Sequence, residues 1–104
     1  NQKMQEYKLA LKYDPRHVDS MNNRGVIFLK LNQVWLAEKE FKNALARSKD
    51  PSAALNNLAG IRLVQGRYKE ALTLLDRYLN IHPESTQVQK ARQTVRLILG
   101  HKLP

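Results

Sequence analysis

The chain has 104 residues, enough for one domain with a modest core, and its apolar share of 42% is slightly low for a globular fold. It contains no cysteine, which excludes a disulfide framework, a thiol nucleophile and a thiolate metal site; that absence fits the cytosol and also admits the periplasm. The net charge of +9 favours acidic partners, nucleic acid or anionic surfaces, and no apolar run reaches the roughly 18 residues of a membrane span.

At the start of the chain, Met4, Tyr7 and Leu11 fall at helical spacing. Asp14-Pro15 predicts the end of that helix, because a residue before proline is pushed out of the α region. No secretory signal pattern precedes it. The next helix, from about Val18, carries Met21, Gly25, Phe28 and Leu29 toward a partner. Glycine inside a helix costs about 1 kcal/mol relative to alanine, so Gly25 predicts a close helix approach. Asn32 is expected to take a left-handed turn, which asparagine tolerates best among the non-glycines.

A helix near Val34 to Arg47 follows, with Leu36, Ala37, Phe41, Ala44 and Leu45 as its apolar set. Trp35 is read as packing residue, with a partly exposed contact role as the alternative. Asp50-Pro51 predicts another start, Asp50 as N-cap and Pro51 at the first helical position. Two apolar-periodic runs come next, Leu55 to Val64 and Tyr68 to Ile81, hinged at Gly66 and stopped by Pro83. Arg62 is expected to lay its stem on apolar surface while its guanidinium reaches solvent or a ligand. A last helix runs from Glu84-Ser85 to about Leu99, with Val88, Ala91, Val95 and Ile98 in one stripe and Gly100 as its stop.

These segments repeat. Tyr7, Phe41 and Leu75 are 34 residues apart, as are Leu11, Leu45 and Leu79, and Asn22-Asn23 returns as Asn56-Asn57. Such units cannot bury their apolar faces alone, so a fixed period means a helical solenoid. The order Leu55, Leu58, Ala59, Gly66, Tyr68, Ala71, Leu75 and Pro83 resembles the tetratricopeptide repeat, with its W-x₂-L-G-x₂-Y…A-x₃-F…P pattern. The resemblance implies an all-α fold, a right-handed α-solenoid of antiparallel helix pairs, with about six helices including a C-terminal capping helix. The expected layout is a single domain over 1–104. It comprises the second helix of a truncated repeat (1–16), repeats at 17–51 and 52–85, a capping helix (86–100) and a tail (101–104). In this register the chain reads as a piece of a longer array, its N-terminal helix exposing Met4, Tyr7 and Leu11 for self-association.

Chemistry is hard to find. His17, His82 and His101 lie in separate turns with no His, Asp or Glu at ligand spacing, and Glu38 and Glu40 point to different helix faces. No phosphate loop, nucleophile elbow or zinc-protease motif occurs. The chain is read as non-catalytic and without a cofactor. The resemblance implies a protein or peptide partner held in a concave groove, where Asn22 and Asn56, and likewise Asn23 and Asn57, take equivalent places. A carboxamide can both donate to and accept from a peptide main chain. The groove set is Asn22, Asn23, Val26, Lys30, Asn56, Asn57, Gly60 and Val64. The competing reading makes Asn23 and Asn57 structural. A second function is a basic C-terminal face of Lys90, Arg92 and Arg96 binding nucleic acid or another polyanion. That face lacks interleaved aromatics, so nucleic acid is not the expected partner. A third is a purely architectural spacer in a larger protein.

Overall fold

The computed structural model describes residues 18–102, which hold five α-helices and no strand. The helix expected at 1–16 lies outside the described residues, and the self-association reading built on it lies there too. In chain order the helices are α1 (Val18–Lys30), α2 (Val34–Arg47), α3 (Ser52–Val64), α4 (Tyr68–Ile81) and α5 (Thr86–Lys102). They divide into two compact units, with the break between Lys49 and Asp50.

The first unit is the α1–α2 pair. Met21 and Ile27 of α1 are buried, as are Ala37, Phe41 and Ala44 of α2. Gly25 sits where a Cβ would run into the Phe41 ring, so the ring lies directly on the α1 backbone. The close approach expected at Gly25 is present, and it lets Phe41 be fully buried. Burial of a side chain of this size is worth about 1.5–3 kcal/mol. Arg24 of α1 donates to Glu40 Oε2 of α2 at 2.8 Å, both side chains mostly out of solvent. Between the helices Asn32 has φ 61°. Its N–H donates to the Leu29 carbonyl at 3.0 Å and the Gln33 N–H to the Phe28 carbonyl at 2.8 Å. That pair of bonds is a Schellman motif, which satisfies the last carbonyls of α1 and turns the chain back.

The second unit contains α3, α4 and α5. Its turn repeats the same solution with Gly66 at φ 73°, Gly66 N–H donating to Leu63 O and Arg67 N–H to Arg62 O. Helix α3 opens at Ser52, one residue later than expected: Pro51 precedes the helix and its carbonyl accepts from Leu55 N–H. Asp50 still serves the start, accepting from the Ser52 N–H at 3.1 Å. Ala71, Leu75 and Leu79 bury one face of α4. Leu75 and Leu79 meet Ala59 of α3 and Val88 and Val95 of α5 in one core, flanked by Tyr68, Tyr78, Ala91 and Leu99. His82, with φ -125° and ψ 73°, lies outside the α region before Pro83 and ends α4. The Ser85 hydroxyl then accepts from the Val88 N–H at 3.3 Å and opens α5. Gly100 does not stop that helix, which continues to Lys102. A glycine ends a helix by turning to positive φ, and only Gly66 does so among the described glycines.

Candidate functional site

Helix α3 is buried over most of its circumference, through Ser52, Ala54, Leu55, Leu58, Ala59, Ile61 and Arg62. At 100° per residue the remaining arc is one stripe, Ala53, Asn56, Gly60 and Val64, and all four residues are exposed. Asn57 and Leu63 flank it, half-buried. Val64 is 90% exposed, more than any other large apolar side chain described. Nothing lies within 4 Å of where a Cβ on Gly60 would be, so this glycine serves no internal packing. The stripe is thus a shallow floor with a carboxamide one turn before the bare backbone and an isopropyl group one turn after it.

The equivalent face of α1 is built differently. Asn23 and Lys30 are exposed, whereas Asn22 and Val26 are half-buried. Asn22 Oδ1 is out of solvent with no hydrogen-bond partner among the described residues. Between the two helices the exposures cross over: Asn56 is exposed where Asn22 is half-buried, and Asn57 is half-buried where Asn23 is exposed. At the next position Arg24 engages Glu40, where Leu58 is simply buried in α3.

Arg62 departs from its expected behaviour. It does not snorkel: the residue is buried, its Nε lies 3.0 Å from Glu70 Oε2, and its Nη1 donates to Gln65 Oε1 at 3.0 Å. Arg67 shares the same carboxylate at 2.7 Å. A buried guanidinium needs a partner with donors matched, and Glu70 reaches it from the first turn of α4. Arg62 therefore locks the α3–α4 turn and is not presented to a ligand.

A family profile for the tetratricopeptide repeat matches residues 36–94, more than half of the chain. The chain belongs to the tetratricopeptide repeat family. A comparison with curated proteins finds no match. Tetratricopeptide repeats generally mediate protein–protein interaction, and the family is generally a non-catalytic scaffold. Among the described residues no helix is long and apolar enough to cross a membrane.

Two polar clusters of this tetratricopeptide protein escape sequence reading, because their members come from different helices. At the base of α3, Ser52 Oγ donates to Asp50 Oδ1 at 2.6 Å, and His82 Nε2 lies 3.1 Å from the same hydroxyl. Glu84 Oε1 is 3.4 Å from His82 Nδ1. The Ser52 bonds, side chain first and then backbone, hold the Asp50 carboxyl below its ordinary range, with His82 adding to them. The serine, histidine and carboxylates look like a hydrolytic constellation but are arranged otherwise. The Ser52 hydroxyl lies within hydrogen-bond reach of both Asp50 and His82 and links the two. The cluster is a clasp joining the start of α3 to the end of α4. On α5, Arg92 Nη1 lies 3.5 Å from Asp76 Oδ1 of α4, while Lys90 and Arg96 are exposed. One of the three cations of the basic face is therefore engaged inside its own unit.

Proposed function

We propose that this protein is a non-catalytic interaction scaffold, taking a segment of a partner protein against the exposed stripe of α3. In this reading the described helices form repeats over 17–51 and 52–85, followed by a capping helix. The observation that carries it is the α3 stripe. Gly60 weakens its helix by about 1 kcal/mol relative to alanine, and no internal contact offsets that loss. A partner main chain lying close over α3 supplies the reason for it. Asn56 then pairs with that main chain through its donor and acceptor, and Val64 contributes apolar area. Asn57 flanks the same surface, and Asn22, Asn23, Val26 and Lys30 supply the corresponding face of α1. With so small a floor, binding is expected to be weak, because limited buried area must offset the ordering of the segment.

The test is a pull-down with nuclease-treated extract, comparing the chain with its Asn56→Ala/Val64→Gln variant at low and high salt. Both positions are exposed, so the fold tolerates the change. Partners lost by the variant but retained at high salt support the reading. Partners indifferent to the variant, yet released by salt or nuclease, would transfer the function to Lys90 and Arg96 on α5.

A further inference from the structure

The outer ridge of α2 carries a separate surface. Trp35, Glu38, Lys39, Lys42 and Asn43 line a shallow depression of about 330 Å³. Their spacing along one helix puts them on a single face. Trp35 is the only tryptophan of the chain and is 71% exposed, so the contact alternative raised by the sequence is the one its exposure favours. An indole left open forgoes the largest burial gain that a side chain offers. The Lys39 ammonium stands 5.8 Å from the centre of the ring, within cation–π range. Lys42 lies 3.2 Å from Glu38 and neutralises the one carboxylate in the lining. What remains is an aromatic plate with a cationic rim.

We propose that this ridge docks an acidic segment of a partner protein that carries an apolar or aromatic side chain. That side chain lies on the Trp35 indole while flanking carboxylates meet Lys39 and Lys42. Charge complementarity selects this occupant, because the protein carries +9 overall. A second copy of the chain is equally cationic and would bring like charge onto the rim. Single-stranded nucleic acid stacks successive bases on several open aromatics, whereas the other aromatics among the described residues, Phe28, Phe41, Tyr68 and Tyr78, are all half-buried or buried. The ridge shares no residue with the α3 stripe, so the two readings stand or fall separately.

The lone tryptophan makes the test direct, since its emission reports this face alone. The 104-residue chain is titrated with three probes: a synthetic peptide with one phenylalanine among glutamates, the same peptide with serine in place of phenylalanine, and an oligothymidylate of matched charge. The phenylalanine peptide is expected to shift Trp35 emission saturably, with the serine peptide about tenfold weaker. Lys39→Gln and Lys42→Gln each weaken it several-fold. Trp35→Ala lowers the affinity of fluorescein-labelled peptide, read by anisotropy, by about tenfold or more at unchanged helix content. The proposal is overturned if the phenylalanine peptide produces no saturable change, or if Trp35→Ala binds the labelled peptide as well as the unaltered chain. Tighter binding of oligothymidylate than of the peptide overturns it too, and gives the ridge to nucleic acid.

Discussion

Two glycines in equivalent helices have opposite meanings at the residue scale. A methyl group at position 25 would collide with the Phe41 ring, which is fully buried. Gly25→Ala is therefore expected to destabilise the first unit by about 1–3 kcal/mol, the range of overpacking. At position 60 the same methyl meets nothing. Gly60→Ala should stabilise by about 0.5–1 kcal/mol while weakening capture of the partner. Urea unfolding of both variants checks the signs, and a loss of stability in Gly60→Ala would refute the argument made for α3. Asp50 makes a second residue-scale prediction. Its carboxyl is held below the ordinary value of 3.8 by Ser52, so the unfolded chain takes up its proton first on acidification. Its contribution is present above that ordinary value and disappears as pH falls through the lower folded value. The stability difference between the unaltered chain and Asp50→Asn should thus shrink as pH falls below about pH 4. Ser52→Ala should move the Asp50 titration upward by NMR.

Turns and buried pairs decide how the elements hold together. Asn32 and Gly66 do the same work, left-handed residues that let two successive N–H groups close the preceding helix. A side chain with a Cβ is strained there by roughly 1–2 kcal/mol, so Gly66→Ala should lower the midpoint of unfolding by that order. Arg62 and Glu70 form an asymmetric pair, the arginine buried and the glutamate half exposed. Removing the glutamate leaves a buried cation with one principal acceptor fewer. Glu70→Ala is expected to cost about 1–3 kcal/mol, below the range for a fully buried pair because water reaches the carboxylate side. Arg62→Met, which replaces the charge by an apolar chain of similar reach, should be near neutral or stabilising. Equal losses from both variants, by thermal melt, would mean that the pair is worth more than its desolvation.

At the scale of the whole molecule, the excess of positive charge separates the two proposed surfaces. The α2 ridge depends on Lys39 and Lys42, and exposed charges are screened within about 10 Å at 0.1 M salt. The α3 stripe is neutral throughout, from Ala53 to Val64. Raising salt should therefore weaken peptide binding at Trp35 several-fold while leaving α3 partners in place. Identical salt dependence at both faces would mean that one surface accounts for all the binding.

Helical periodicity and a 34-residue self-similarity made much of this legible without coordinates. The bounds of α2 and α4, the left-handed turns and the α5 stripe all follow from local rules about which residues share a face and which tolerate a turn. Such rules name the face that is buried but not the side chain that meets it. Arg62 with Glu70, Arg24 with Glu40, Arg92 with Asp76 and His82 with Ser52 each join residues of different segments, and the first and third turn a cation read as facing ligand or solvent inward to the fold. The exposure of Trp35 and the empty space over Gly60 were equally beyond local reasoning, since both depend on what lies across from the helix. The sequence by itself determined the repeat and its helices, because backbone geometry is set within one turn. The tertiary structure alone decided which polar residues remain available to a partner, because hydrogen bonding and burial are settled between helices.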